Sequence, residues 1–288
     1  MRRTLFTGVV LLLSAACLRE NYNEEDCRKE VVVNMEDVPY VFQGDETVAY
    51  RPYYTFTESL NLFVFAEERL QNTNTYDYEY CRTHPMIPYY TQTGGQDFLF
   101  VANLYDPKEL DWKFLNGELQ AIFLILDNEE PPLLLAAKEK ADVQEDILLP
   151  VELYLLVSRL EIRVDNPPAW MTGLDVNISN IAGTITSDFI LGDTTHIFKH
   201  LEVRSPAAST FWSGINTFPT YPETPALLNI QLTGGAEISS ILVDDDRLHL
   251  VPGIITRVNI LFETENEVKI SLEVDGKWEI VDGGHIII

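Results

Sequence analysis

The residues that could do chemistry in this chain are few and scattered. Three cysteines stand at Cys17, Cys27 and Cys81. His196 and His200 are four apart, Asp244-Asp245-Asp246 form an acidic run, and Tyr76, Tyr78 and Tyr80 alternate with acids. Cys17 carries the most information. Arg2 and Arg3 precede an apolar run over residues 5–13, and Ser14-Ala15-Ala16 lead into the cysteine. Basic residues, a short apolar stretch and small residues at a cut point describe a removable secretory signal. The run is too short for the roughly 20 residues that a membrane-spanning helix needs. A cysteine directly after the small residues makes the segment a lipobox, so cleavage leaves Cys17 as a lipidated N-terminus. The pattern departs in one place: leucine is commonest three residues before such a cysteine, and here Ser14 stands there, one after Leu13. Ordinary secretion with an incidental Cys17 thiol is the alternative. Stable anchoring takes more than one acyl chain, which a triacylated cysteine supplies.

The other groups are weaker signals. Cys27 and Cys81 are a candidate disulfide in an oxidising compartment. Such a bridge would close a loop of about 55 residues and contribute on the order of 4 kcal/mol through the unfolded state. No metal-type cysteine spacing occurs. His196 and His200 have the spacing of a helical metal pair, but residues 194–200 lack the glutamate of a zinc protease. On a strand the two rings share a face with another residue between them. They are therefore read as structural or surface histidines, with no metal site. The three aspartates suit a solvated turn and match no calcium loop. There is no nucleophile elbow and no phosphate-cradling glycine loop. Carboxylates are so abundant that some pair will lie close by chance. No catalytic residue and no cofactor are nominated. On a strand, Tyr76, Tyr78 and Tyr80 would share one face. Buried, they pack a core with Tyr89 and Tyr90; exposed, they are a candidate contact for a partner protein or a sugar.

Composition narrows the class. The formal net charge is −25, and loss of Arg2 and Arg3 makes it two units more negative. Such a surface repels phosphate backbones, so nucleic acid is not an expected partner. A hydrophobic fraction of 46% is ordinary for a folded core, and residues 17–288 suffice for one large or two ordinary domains. Residues 20–26 hold four acids just after the lipid site and read as a solvated tether.

The elements that must position these residues are strands. Residues 30–35 centre on Val31-Val32-Val33, and residues 59–66 alternate Leu60, Leu62 and Val64 against Asn61, Phe63 and Phe65. Residues 72–90 read as a hairpin or long loop with exposed aromatics. Gly94-Gly95 is a turn before a buried strand over 98–104. Asp106-Pro107 pairs a capping residue with a first-turn proline and predicts a short helix over 106–115. Residues 118–126 fit helix or strand. Apolar runs at 133–137 and 147–151 bracket a charged segment, and 151–164 reads as one long strand. Further strands fall at 174–181, 185–190, 227–232, 238–243, 248–251, 254–262, 267–274 and 278–281, with glycines between them. Many short strands at this spacing predict an all-β chain of antiparallel β-sandwiches. The expected organisation is a signal peptide at 1–16, a lipidated acidic tether at 17–29, one sandwich at 30–150 and a second at 151–288, with the boundary near Pro150.

The order of these segments resembles the fimbrillin-type proteins of Bacteroidales, and most closely their fimbrium anchor (minor fimbrial subunit) lipoproteins. The lipobox cysteine is followed by an acidic spacer, which resembles the tags that send some Bacteroidota lipoproteins to the outer face of the outer membrane. Cys27 and a Val-rich strand follow, then Glu58-Ser59-Leu60-Asn61-Leu62-Phe63-Val64-Phe65 and Phe100-Val101-Ala102-Asn103-Leu104. Val151-Glu152-Leu153-Tyr154 and Ser158-Arg159-Leu160-Glu161-Ile162-Arg163-Val164 are similar to the strand that opens the family's second domain. Leu250-Val251-Pro252-Gly253, Val258-Asn259-Ile260-Leu261-Phe262 and Trp278-Glu279-Ile280-Val281-Asp282-Gly283-Gly284 complete the order. Tyr154 departs from the family, which often has arginine early in the mid-chain strand.

The resemblance implies two tandem transthyretin-like β-sandwiches and a non-enzymatic lipoprotein. That protein would hold a fimbrium to the cell outer membrane and influence its length. Implied partners are the major fimbrial subunit and other fimbrial proteins, joined by donor-strand exchange, in which one subunit lends a strand to a groove on the next. Stalk subunits open that groove by proteolytic loss of an N-terminal strand. An anchor lipidated at the same end cannot lose it and stay attached, so the strand at 30–35 is expected to remain. Competing classes are a surface glycan-binding lipoprotein of a polysaccharide-uptake system, a secreted hydrolase and a fimbrial tip adhesin.

Overall fold

The computed structural model describes residues 28–42, 49–104, 110–124, 128–203, 210–235, 240–264, 267–274, 277–280 and 285–287. The signal, Cys17, the acidic tether, Cys27, Asp106-Pro107 and Gly283-Gly284 lie outside them. Four sheets pack in two pairs. In the first pair, β1 (Lys29–Met35) lies between β6 (Met86–Thr91) and β11 (Ile147–Val151). Facing them, in order, are β12 (Tyr154–Leu155), β10 (Leu135–Val143), β7 (Gly94–Ala102), β4 (Ser59–Ala66) and β5 (Arg69–Asp77). Val31, Val33, Ile87 and Val151 meet Leu60, Leu62, Val64, Phe98 and Phe100 in the core between.

The second pair is built the same way. One sheet runs β16 (Thr210–Thr217), β13 (Ser158–Asp165), β19 (Ile254–Thr264), β2 (Val38–Phe42), β3 (Ala49–Arg51), with β20 (Glu267–Val274) also on β19 and β21 (Lys277–Ile280) on β20. The other runs β22 (His285–Ile287), β18 (Ser240–Asp244), β17 (Leu227–Thr233), β14 (Gly173–Thr186), β9 (Glu118–Leu124), β8 (Leu110–Leu115), with β15 (Leu191–Glu202) also on β14. Leu160, Ile162, Val258 and Ile260 pack there against Val176, Ile178 and Ile230.

A third core joins the two pairs. Phe63, Phe65, Leu99 and Val101 leave the outer face of the β4–β7 sheet and meet Leu119 and Phe123 of β9, Ile185 of β14 and Phe218. Trp112 of β8 lies 5.4 Å from Phe63 and 5.8 Å from Phe65. Residues 62–65 are therefore buried at both parities. A strand covered on both faces reads as a near-continuous apolar run.

Several local expectations change. The short helix over 106–115 is replaced by β8, whose Trp112 and Phe114 alternate with exposed Asp111 and Lys113; residues 105–109 lie outside the described residues. The charged segment after Ala137 is itself strand, paired residue by residue with β7. The single strand over 151–164 breaks into β12 and β13, because the chain crosses there from one sheet pair to the other. The run 174–181 and the first two residues of the run 185–190 are one strand, β14, with a register shift between Ser179 and Ile181. Residues 248–251 are not strand. The polar strands β15 and β16 escaped the sequence reading; each contributes only a few inward side chains, such as Ile197 and Leu201 from β15. Most pairings are antiparallel, but β1–β11, β13–β19 and β2–β19 are parallel. Strands also cross the division drawn at Pro150: β9 pairs with β14, β2 pairs with β19, and β11 runs through Pro150 itself.

Asn103 fixes the end of β7. It is 2% exposed and has φ +62°. Its Oδ1 accepts the Glu58 N–H at 2.7 Å, and its Nδ2 donates to the carbonyls of Phe56 at 2.7 Å and Leu133 at 2.6 Å. One side chain thus ties the entry to β4, the exit of β7 and the approach to β10.

Candidate assembly interface at the N-terminal strand

β1 emerges directly from the region of the tether and becomes the middle strand of its sheet. Alternation sends Val31, Val33 and Met35 inward, where Val31 and Val33 are 0% exposed. Val33 stands opposite Ile87 on one side and Leu149 on the other. Both ends are tied down. The Glu30 N–H donates to Asp146 Oδ1 at 2.9 Å, and the Tyr90 hydroxyl donates to Glu30 Oε1 at 3.0 Å. At the other end, the Glu36 N–H donates to the Val151 carbonyl at 2.8 Å. Taking β1 away would leave β6 and β11 without a common neighbour and uncover the core beneath. Sequence reasoning found the strand but not this clamp, whose partners lie 60 to 116 residues away.

The tyrosines do not share a strand face. Asp77 ends β5 and caps α1 (Tyr78–Thr83), accepting the Tyr80 N–H at 2.8 Å. An aspartate that takes the N-terminal N–H groups starts a helix whatever the alternation before it. Tyr76 and Tyr80 stack with centroids 4.9 Å apart, and Tyr80 stacks on His84 at 4.1 Å. Both tyrosines are half-buried against the core, and Tyr78 alone of the three is exposed. The same strand-to-helix switch corrects the hairpin-or-loop reading of 72–90.

Cys81 is buried in α1, and burial pushes its thiol up from the ordinary cysteine range. The Tyr53 hydroxyl donates to its carbonyl at 2.8 Å. The helix leads into Met86, which stands opposite Asn34, whereas Lys29 pairs with Thr91 at the other end of the sheet. Cys27 lies outside the described residues, so its pairing with Cys81 stays a candidate.

His196 and His200 project from the outer side of β15 with Phe198 between them, and His200 Nδ1 lies 2.6 Å from Asp175 Oδ1 on β14. In the acidic run, Asp245 is taken by Arg247: its carboxylate accepts from Nε at 2.8 Å, from a terminal guanidinium nitrogen at 2.7 Å and from the Arg247 N–H at 2.9 Å. The guanidinium holds that carboxyl below the usual aspartate range. The pair therefore stabilises the fold above the unfolded carboxyl pKa of about 3.9 and loses this as pH falls through the lower folded value. Asp245→Asn should cost about 1 kcal/mol at pH 7. Once the pH falls below that lower folded value, its denaturant midpoint should converge on that of the parent.

Residues 24–283 match the family model of fimbrillin-A associated anchor proteins Mfa1 and Mfa2. The chain belongs to this anchor family. Solved structures with the same fold include the fimbrial anchor protein Mfa2 of Porphyromonas gingivalis, at 12% identity and TM-score 0.51, covering 88% of this chain and 99% of that one. A Bacteroides thetaiotaomicron protein described as a candidate adhesin has TM-score 0.56 at 10% identity, covering 88% and 98%. A protein of the same organism described as a candidate polysaccharide-binding protein has TM-score 0.57 at 11% identity, covering 88% and 99%. No curated protein sequence matches the chain. As a member of the fimbrillin-A associated anchor family, the protein acts in fimbrial anchoring by non-catalytic assembly at the cell surface. It associates with other fimbrial proteins. Among the described residues, no helix is long and apolar enough to cross a membrane.

Proposed function

We propose that acyl chains on Cys17 moor this protein to the outer membrane, and that it holds the base of a fimbrium there through contacts with the major fimbrial subunit. It is a binding protein and not an enzyme. The observation that carries this reading is β1: the first described strand after the tether is the buried centre of its sheet. A subunit in this state has no open groove under β1. It therefore keeps the strand that joins it to its lipid and meets its neighbour on another surface. The tether from Cys17 to Arg28 reaches at most about 40 Å, so the first sheet stays close to the lipid. We place the first sandwich on β1, β4 to β7 and β10 to β12, and the second on β13 to β22 with β2, β3, β8 and β9 lent by the first half of the chain, so the boundary near Pro150 divides the chain only in part.

The test has two arms. Deleting the gene should release fimbriae into the medium or change their length. The Cys17→Ala variant should leave the outer-membrane fraction and reproduce that release. Firmly attached fimbriae of normal length in the deletion strain would reject the reading.

A further inference from the structure

We infer that the cleft between the start of β5, the end of β6 and Arg28 is a saccharide-binding site. It is a cavity of about 310 Å³ at the end of the first sandwich opposite α1, at the small end of ligand-pocket volumes and suited to one or two sugar rings. Its wall is made of amides and phenols. Among the described residues, Gln71, Asn72, Gln92 and Gln96 supply four carboxamides, Ala66 is the one aliphatic lining residue, and Arg28 is the one charged lining residue.

Two features show that the cleft is built. Val64 pairs with Asn72 and Phe65 with Leu70, so Gln71 is the extra residue of a bulge in β5. Bulges re-aim side chains, and this one brings Gln71 into the lining, where its Nε2 donates to the Ala66 and Arg69 carbonyls. The tight turn before it holds Glu67 and Glu68 at φ +49° and +62°, a conformation that costs energy in residues with a side chain. The second feature is Gln96. It is 5% exposed, its Nε2 donates to the Gln92 carbonyl at 3.4 Å, and its Oε1 has no hydrogen-bond partner among the described residues. That oxygen lies just beneath the cleft wall, and a ligand donor meets it when the Gln96 side chain turns outward.

The chemistry selects the ligand class. A carboxamide both donates and accepts, which matches neighbouring hydroxyls on a sugar ring. A peptide side chain would need an aliphatic wall or a set of counter-charges, and neither lines the cleft. Tyr90, 56% exposed at the rim, offers a ring face for stacking on the apolar side of a pyranose. Arg28 can take a sugar carboxylate or an ether oxygen.

Binding is measured by saturation-transfer NMR and calorimetry on the purified full chain with D-glucose, D-galactose, N-acetyl-D-glucosamine and D-glucuronate. At least one should bind with Kd on the order of 1 mM. Gln71→Ala, at an exposed position, should weaken it on the order of tenfold while leaving the melting curve unchanged, and Tyr90→Ala should weaken it as much with a small drop in melting midpoint from the lost bond to Glu30. Gln96→Leu should do the same, and Phe198→Ala on β15 should not. Absence of binding to all four sugars, or binding that survives the cleft variants, would overturn the inference. Fimbrial attachment is a separate readout, so failure here leaves the anchoring proposal standing.

Discussion

Val33→Asp will unfold the first sandwich, whereas Val32→Asp, one residue away, will be tolerated. Val33 is 0% exposed between Ile87 and Leu149, in a core whose described members carry no cation to receive the carboxylate. Burying an unpaired charge there should cost more than about 4 kcal/mol. Whole domains are stable by only about 5–15 kcal/mol. Val32 points to the opposite, half-buried face, and its substitution should cost under about 1 kcal/mol. Urea titrations followed by circular dichroism would separate the two. The contrast also bears on function. If β1 is the retained plug of its sheet, Val33→Asp should shed fimbriae even though the lipid site is intact. Equal stability of the two variants would show that β1 is not seated in the core.

Asn103→Ala is also expected to be damaging, although it removes only a small polar side chain. Three part-buried backbone groups, the Glu58 N–H and the Phe56 and Leu133 carbonyls, lose the Asn103 side chain together. Water can reach such groups in part, so the loss should be about 2–3 kcal/mol. Part of the effect belongs to the backbone, since alanine at φ +62° adds about 1 kcal/mol that asparagine largely avoids. Asn103→Gly removes the same hydrogen bonds without that strain, so it should recover about 1 kcal/mol relative to alanine. A glycine variant as stable as the parent would refute the role of the side chain as a tie between strands.

The elements that the sequence predicts well are those whose alternation faces one core. β1, β17 and β20 show it, and β4 is placed at 59–66 in both descriptions. β8 was misread although its period-two pattern was present, because Asp106-Pro107 is a strong helix-start signal and outweighed the alternation of Trp112 and Phe114. The tyrosine segment failed in the opposite direction. Alternation from Tyr76 to Tyr80 was a correct strand signal up to Asp77, whose side chain then captured the Tyr80 N–H and began α1. β15 and β16 went unseen because each buries one sparse face. The cleft amides were also out of reach: Gln71 and Gln96 lie in different strands and meet only through the bulge.

Two properties were written in the chain itself. Basic, apolar and small residues ahead of Cys17 are a local code, and a period of two in apolar side chains can be satisfied only by strands. Both depend on neighbours within a few positions. Partner choice depends on residues far away. That β1 lies beside β11 in parallel, that β9 joins β14, and that Phe63 and Phe65 have a core of their own were settled only when the sheets packed. Strand pairing is set by which apolar faces can be covered together. That is a property of the assembled layers, and no single segment carries it.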